Sequence, residues 1–179
     1  MSEKLEVLLT AQQLQARVAE IAKQIIEDYG QQSLVLIGVL KGSAYFLADL
    51  SRALPEEVRL DFVQISSYGA GKTSSGTVQL RKDHDIDIHG QHVIIVEDVV
   101  DTGLSLSYLK NLLATRKPAS LRTAAMLVKP DAMAEGAAPD YVGFKIENDF
   151  VVGYGLDHAE RYRNLPYIAI LREDSDPKS

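Results

Sequence analysis

An apolar segment gives way to a polar one within His92-Val-Ile-Ile-Val-Glu-Asp-Val-Val-Asp-Thr-Gly-Leu-Ser105. The run 92–96 has the length and the β-branched composition of a strand that is buried on both faces. The polar residues 97–105 then predict a loop, and the apolar spacing that follows predicts a helix over roughly 106–115. Together they predict a strand–loop–helix unit, which is a building block of parallel sheets.

A second unit of the same kind lies nearer the N-terminus. Residues 33–39 predict a buried strand, Lys41-Gly42-Ser43 a turn, and 44–54 a helix. Buried strands that alternate with helices predict an α/β fold with a central, mainly parallel sheet flanked by helices, in a single domain over 1–179. Because such sheets bind ligands beyond the carboxyl ends of their strands, we expect function in the polar loops that follow the strands.

The remaining elements are predicted from the same periodicities. An amphipathic helix between Thr10 and Gly30 begins with a capping box formed by Thr10 and Gln13. Further strands are predicted at 58–65, 121–128, 141–145, 150–154 and 167–171. The Gly- and Ser-rich segment 66–76 predicts a mobile loop, because its glycines lower the cost of rearrangement.

Composition narrows the classes of function. The chain of 179 residues contains no cysteine, so thiolate chemistry and Cys-based metal sites are excluded. It has no apolar run of membrane-spanning length, and Met1–Lys4 lack the features of a secretory signal, so we expect a cytoplasmic protein without membrane contact. A net charge of −6 disfavours nonspecific nucleic-acid binding, since such binding depends on Lys and Arg, and it leaves a local basic patch open.

Three carboxylates follow the strand at 92–96 within five positions. Glu97, Asp98 and Asp101 repel one another unless hydroxyls, cations or a metal satisfy them, so their crowding indicates a site. The alternative interpretation is that they are acidic residues attracted to the next helix dipole, which explains one carboxylate better than three. Thr102–Ser105 add backbone N–H groups, hydroxyls and a helix N-terminus, which suit a phosphate monoester. Carboxylates for ribose hydroxyls beside a phosphate cradle predict a phosphorylated-sugar site.

Val93-Ile-Ile-Val-Glu-Asp-Val-Val-Asp-Thr-Gly-Leu-Ser105 resembles the phosphoribosyl-pyrophosphate signature of type I phosphoribosyltransferases. The hypoxanthine-guanine branch of that family is indicated by four further segments, which occur in the family's order. They are Leu40-Lys41-Gly42-Ser43, Ser67-Tyr68-Gly69, Val128-Lys129-Pro130, and Phe150-Val-Val-Gly-Tyr-Gly-Leu-Asp157 followed by Arg161-Tyr-Arg163. Ser105 stands where many members have threonine, and it keeps the hydroxyl. The resemblance also implies a small hood built from the terminal segments.

The resemblance implies a role for each group of residues. Ribose 5-phosphate would be bound by Glu97, Asp98, Asp101, Thr102, Gly103, Leu104 and Ser105, with Asp101 as the catalytic group near the purine N7. Pyrophosphate would be bound by Lys41, Gly42 and Arg163, and the peptide before Lys41 is often cis in relatives. Mg²⁺ would be held by Glu97, Asp98 and Asp157, directly or through the ribose hydroxyls or water. The purine would be bound by Lys129, Phe150 and Val151, under a lid carrying Ser67 and Tyr68.

The implied activity joins hypoxanthine, with guanine as a second candidate base, to 5-phosphoribosyl-1-pyrophosphate in a homodimer or homotetramer. Without the resemblance, Lys41-Gly42 is equally an ordinary turn, Lys129 a surface lysine and Phe150 a core residue. A rival from another class is a nucleotide-sensing RNA-binding regulator on the same fold, since fold alone does not determine function. The acidic net charge and the purine-type segments argue against that rival.

Overall fold

A computed structural model describes residues 3–55, 57–67 and 78–173. Its larger sheet consists of Leu34–Leu40 (β2), Val58–Ser67 (β3), Val78–Lys82 (β4), His92–Val100 (β5), Ser120–Val128 (β6) and Tyr141–Lys145 (β7). The strand order is β4-β3-β2-β5-β6-β7, and only the β3–β4 pair is antiparallel within this sheet. The predicted central, mainly parallel sheet is confirmed.

A smaller sheet unites the two ends of the chain. Glu3–Leu9 (β1), Val151–Val152 (β8) and Ile168–Glu173 (β9) form an antiparallel sheet in the order β1-β9-β8. We call this sheet the hood. It confirms the expected small unit from terminal segments, and Gly155 in the turn after β8 packs against Gly42, which follows β2.

Helices cover the larger sheet on both faces. They are Ala11–Tyr29 (α1), Ala44–Arg52 (α2) and Leu104–Ala114 (α3), and Pro130–Ala132 forms a 3₁₀ turn. Alternate residues of the central strands pack against α1 and α2 on one face and against α3 on the other, which gives two apolar clusters. Strands buried on both faces explain the continuous apolar runs in the sequence. None of the helices in the described residues is long and apolar enough to cross a lipid bilayer.

The predicted start and end of α1 are confirmed. Gln13 N donates to Thr10 Oγ1 at 3.2 Å, and Thr10 N donates to Gln13 Oε1 at 2.8 Å, which completes the capping box. Gly30 follows the helix with φ 60°, a conformation that glycine adopts at little cost. Leu14, Val18, Ile21, Ala22 and Ile25 are buried along one face, as the periodicity predicted.

Several predicted boundaries were wrong. The strand that begins at His92 continues through Glu97 and Asp98 to Val100, because these residues pair with β6 as far as Val128. Glu97 and Asp98 therefore lie in a strand and not in a loop. β3 extends to Ser67, and the strand predicted over 150–154 contains only Val151–Val152.

The edge strands β1 and β4 had not been predicted. β1 carries Glu3, Lys4 and Glu6, and most of its residues are exposed. β4 is an exposed partner of β3 with the sequence Val-Gln-Leu-Arg-Lys. Charged side chains are typical of edge strands, and they weaken the apolar pattern on which prediction depends.

Candidate active site

A pair of adjacent carboxylates lies at the carboxyl end of the central strand β5. The Glu97 side chain is buried, with 7% of the residue exposed, and its pKa is raised well above the ordinary value by burial and by the neighbouring Asp98. Burial also raises the pKa of Asp98 to about 6. Hydrogen bonds from backbone N–H groups, including that of Val99 at 2.7 Å, oppose this rise. Both carboxylates therefore occupy an environment that disfavours their charge, as is common at functional sites.

The loop after the carboxylates encloses a small cavity. Asp101, Thr102, Gly103 and Ser105 line a space of about 110 Å³ together with Glu97 and neighbouring residues of β5 and α3. Helix α3 begins at Leu104, so its free backbone N–H groups lie in this loop. The arrangement supplies the hydrogen-bond donors and the helix N-terminus that a phosphate monoester requires.

Gly103 fixes the path of this loop. Its φ is 82°, and a Cβ atom there would lie 2.4 Å from the Cβ of Ala137. Both the backbone conformation and the close approach exclude a larger residue without local rearrangement. The loop at 129–140 therefore packs against residues 101–105, which we call the phosphate loop. Ala134 N also donates to Thr102 O at 3.1 Å.

The turn after β2 approaches the carboxylates directly. A Cβ atom on Gly42 would lie 1.6 Å from Asp98 Oδ2, so only glycine allows the two segments to pack at this distance. The Leu40–Lys41 peptide, whose isomer the sequence alone left open, is cis. On the other side, a Cβ atom on Gly155 would lie 2.0 Å from Gly42 O. Gly42 is thus held between the end of β5 and the turn that follows β8.

The segment 157–163 returns from the hood to this turn. Arg163 Nη2 lies 2.9 Å from Asp157 Oδ1, and Arg163 Nη1 donates to Gly155 O at 2.7 Å. Arg163 lowers the pKa of Asp98 and Asp157 raises it, which places both charges near that carboxylate. Asp98 is therefore brought close to Asp157 and Arg163, which follow it by 59 and 65 positions in the sequence.

The predicted purine contacts lie on β8 and after β6. The Phe150 ring is 53% exposed and meets His158 edge-on at 5.5 Å, while Val151 is buried in the hood sheet. The Lys129 ammonium makes a long hydrogen bond of 3.5 Å to Asn148 Oδ1. An exposed aromatic face and a weakly engaged ammonium group are available for a planar polar ligand.

Other predicted assignments have different outcomes. Tyr68 lies outside the described residues, and Ser67 is the last residue of β3, so the lid stays a prediction. Within residues 3–55, 57–67 and 78–173, no three Asp, Glu or His side chains are grouped closely enough to hold a metal ion. Glu97, Asp98 and Asp157 thus do not form a ready-made metal cluster, and Asp157 is paired with Arg163.

Sequence reasoning missed two acidic residues of this region. Glu160 lies 2.9 Å from Lys41 Nζ and 3.3 Å from Arg163 Nη2. Glu3 of β1 accepts hydrogen bonds from Arg161 and Tyr162. The contacts of Glu160 with Lys41 and of Glu3 with Arg161 and Tyr162 each join residues more than 100 positions apart. Glu160 and Arg163 are close in sequence, so only their spacing could have indicated a contact.

Comparison with known proteins agrees with this geometry. Residues 5–159 match the family model described as phosphoribosyl transferase domain. A hypoxanthine-guanine phosphoribosyltransferase of Mycobacterium bovis is 54% identical over 171 residues, which cover 92% of this chain and 85% of that protein. The hypoxanthine-guanine phosphoribosyltransferase of Streptococcus mutans is 41% identical, and the match covers 94% of each protein. The crystal structure of a hypoxanthine-guanine phosphoribosyltransferase from Bacillus anthracis has a TM-score of 0.89 at 41% identity, covering 96% of this chain and 100% of that one.

These matches extend well beyond the signature at 93–105. The family model spans most of the chain, and the relatives cover almost all of it. The chain therefore belongs to the phosphoribosyltransferase family, in its hypoxanthine-guanine branch. The resemblance inferred from the sequence is confirmed.

Proposed function

We propose that this protein transfers the 5-phosphoribosyl group of 5-phosphoribosyl-1-pyrophosphate to hypoxanthine, and to guanine, with release of pyrophosphate. The observation that carries the proposal is the pair formed by buried Glu97 and half-buried Asp98 directly before a phosphate-type loop at the N-terminus of α3. A sugar phosphate satisfies both parts at once, since its vicinal hydroxyls donate to carboxylates and its phosphate accepts from backbone N–H groups. The relatives that carry the name of this activity support the assignment.

In the proposed reaction a purine nitrogen attacks C1′ while the bond from C1′ to the pyrophosphate oxygen breaks. Positive charge develops on the ribose ring and negative charge on the leaving group. Lys41 and Arg163 would stabilise the departing oxygens, and the fork of Arg163 suits an anion with several oxygens. Asp101, at the rim of the phosphate loop, would accept the proton that the purine loses from N7.

The carboxylates at this edge also suit a divalent cation. The charge of Asp157 helps to raise the pKa of Asp98, so a cation there would relieve their repulsion, and oxygen ligands are those that Mg²⁺ prefers. Asp98 and Asp157, with Glu97, would hold the ion directly or through ribose hydroxyls or water. When bound, Mg²⁺ would supply positive charge to the pyrophosphate group.

The base would be recognised by Lys129, Phe150 and Val151. Lys129 Nζ is a donor, so it can bond to the 6-oxo group of hypoxanthine or guanine but not usefully to a 6-amino group. The exposed face of Phe150 would stack on the purine, and the backbone of Val151 would bond to its edge. We therefore expect 6-oxopurines to be substrates and adenine and uracil to be poor ones.

The test is a panel of hypoxanthine, guanine, xanthine, adenine and uracil, each assayed with the sugar donor and Mg²⁺ for pyrophosphate release. We expect release with hypoxanthine and guanine, and little with adenine or uracil. Efficient use of adenine or uracil with hypoxanthine inert would overturn the assignment.

We also propose that the protein acts in the cytoplasm as a homodimer or homotetramer without a nucleic-acid partner. Association is what the family resemblance implies, and exposed apolar side chains such as Leu60 are compatible with it. Light scattering coupled to gel filtration gives the number of subunits directly. A monomer at all concentrations would contradict this part of the proposal.

A further inference from the structure

Glu160 bridges the two cations that the proposed function assigns to pyrophosphate. Its Oε2 lies 2.9 Å from Lys41 Nζ, and its Oε1 lies 3.3 Å from Arg163 Nη2. Lys41 comes from the turn after β2 and Arg163 from the segment after the hood strand β8. The carboxylate thus joins the two sides of the site through one anionic group.

The Glu160 carboxylate presents one oxygen to each of two cations, Lys41 and Arg163. A carboxylate placed between an ammonium and a guanidinium group offers the same kind of acceptor oxygens as a phosphate. Glu160 therefore occupies both cations in the way that a bound anion would.

The backbone around Glu160 is fixed in position. Glu160 has φ 62°, a conformation that non-glycine residues rarely adopt, and its N–H donates to Asp157 Oδ2 at 2.8 Å. On the outer side, Glu3 of β1 accepts from Arg161 Nη2 at 2.7 Å and from the Tyr162 hydroxyl. These contacts hold the segment 157–163 so that the Glu160 side chain reaches Lys41.

The bridge is at the same time easy to displace. The side chains of Lys41 and Glu160 are 56% and 66% exposed, and exposed ion pairs contribute little free energy. Pyrophosphate carries several negative charges and can engage both cations together, so it can replace a single carboxylate. Lys41 and Arg163 therefore contact a negatively charged group both when the site is empty and when it is filled.

We propose that the Glu160 carboxylate is an internal competitor that occupies the anion site of Lys41 and Arg163 in the empty protein and yields to the pyrophosphate group. The inference rests on the proposed function for the identity of the ligand. It predicts that Glu160 weakens pyrophosphate binding and so promotes release of that product. Glu160 affects the ligand only by occupying Lys41 and Arg163, and it is not itself a catalytic residue.

The test measures binding of inorganic pyrophosphate, in magnesium buffer without base, by isothermal titration calorimetry. Glu160→Gln should bind pyrophosphate about two- to fivefold more tightly than the unchanged protein, the change that corresponds to one exposed ion pair. Glu20→Gln is the matched control, because Glu20 is an exposed glutamate of α1 paired with Arg17. Its affinity for pyrophosphate should stay within the error of the unchanged protein.

Two further variants separate charge from backbone and identify the partner. Glu160→Asn removes the charge and also suits a positive φ, so it should tighten binding as much as Glu160→Gln does. In a Lys41→Gln background, Glu160→Gln should have a smaller effect, because one of the two cations is already absent. Thermal unfolding of each variant shows whether it is folded.

Unchanged or weaker binding in both Glu160 variants, when they are folded, would overturn the inference, and weaker binding would show that Glu160 instead holds the cations in place. Absence of pyrophosphate binding in every protein would also overturn it. If Glu160→Gln binds more tightly but no base supports pyrophosphate release, the anion site stands and the proposed function fails. If hypoxanthine supports release and Glu160→Gln binds no more tightly, only this inference fails.

Discussion

Strand β6 carries a cation near each end, and the two are used in opposite ways. Arg122, near the amino end, bonds to Asp28 and donates to the Tyr141 hydroxyl at 2.7 Å, with its guanidinium 5.2 Å from the Tyr29 ring centroid. Lys129, after the carboxyl end, makes a hydrogen bond of 3.5 Å. The amino-end cation is held by neighbours, whereas the carboxyl-end cation is available to a ligand.

The carboxylates at the two ends differ in the same way. At the amino end, a hydrogen bond from the Tyr141 hydroxyl is the largest influence on Asp28, and with Arg122 it lowers the pKa of that carboxyl. At the carboxyl end, burial raises the pKa of Glu97 and of Asp98. One end of the sheet satisfies its charges internally and stabilises the fold. The other leaves them poorly satisfied, which is the condition in which a ligand or a cation gains the most by binding.

The largest effect is expected from a change of chemistry at the carboxyl end. Asp101→Asn keeps the size of the side chain but removes the proton acceptor, so turnover with hypoxanthine should fall about 10²–10⁴-fold. Affinity for the sugar donor should change much less. Single-turnover kinetics measures the chemical step when product release is slow.

The fold of Asp101→Asn should be unaffected, because Asp101 is exposed and changes at such positions usually shift stability by less than about 0.5 kcal/mol. Urea unfolding provides this control. Unchanged single-turnover chemistry in the variant would remove Asp101 from its proposed role.

The scaffold was more predictable than the site. The limits of α1 followed from Thr10, Gln13 and Gly30, and the central strands followed from continuous apolar runs, because local signals specify these elements. The sequence pattern predicts a loop at Glu97 and Asp98, because two acidic residues interrupt the apolar run, but pairing with β6 extends the strand through both of them. Local propensity cannot anticipate such an extension.

The contacts of Glu160 and Glu3 illustrate what the sequence could not provide. Lys41 and Glu160 are 119 positions apart, and nothing in either segment encodes the distance between them. Their contact depends on the close packing of Gly42 against Gly155, which is a property of the folded backbone. The family resemblance predicted residues of the site, but it gave no information about this internal ion pair.

The second prediction concerns Lys129, the cation after the carboxyl end of β6. Lys129→Gln retains a donor but loses charge and reach, so the preference for hypoxanthine over adenine should narrow by about 10–100-fold. The ratio of kcat/KM for the two bases measures this preference. Lys110→Gln on α3 is the matched control and should leave the ratio unchanged. Base preference that Lys129→Gln leaves intact would contradict the proposed role of Lys129.

The third prediction concerns the sign of a charge effect on stability. Folding raises the pKa of Asp98 from 3.8 to about 6, so the folded state holds the proton more tightly and its ionisation costs stability. As the pH rises from about 4 to 6, ionisation of Asp98 should therefore lower the free energy of unfolding. Asp98→Asn should remove that contribution and stabilise the empty protein at pH 8.

This rise in the pKa of Asp98 corresponds to about 3 kcal/mol if water is excluded. Because Asp98 is partly exposed, we expect Asp98→Asn to gain about 2 kcal/mol in the free energy of unfolding. Urea unfolding of both proteins at pH 4 and pH 8 measures it, and the difference should nearly vanish at pH 4. The same variant should bind the sugar donor more weakly. A loss of stability at pH 8 would show that Asp98 is already satisfied within the protein.

The smallest effect is expected at the amino end of β6, where a substitution should lower the stability of the protein, whereas Asp98→Asn should raise it. The Tyr141 hydroxyl donates to Asp28 Oδ2 at 2.6 Å and accepts from Arg122, and only 4% of the residue is exposed. Tyr141→Phe removes both hydrogen bonds and should cost about 1 kcal/mol, or about 2–4 °C in Tm for a chain of this size. Because the Asp28 pKa is lowered by these contacts, its stabilising contribution exists above its ordinary pKa and is lost as the pH falls through the lowered value. The loss of stability caused by Tyr141→Phe should therefore be smaller in acid.

Tyr108→Phe on α3 is the control, since the Tyr108 hydroxyl has no hydrogen bond within the described part of the chain, and this variant should leave Tm nearly unchanged. Activity with hypoxanthine should be the same in all three proteins, because the amino end takes no part in the proposed chemistry. A fall in kcat/KM with unchanged Tm in Tyr141→Phe would mean that the two ends of the sheet are coupled, and the division of roles between them would then be wrong.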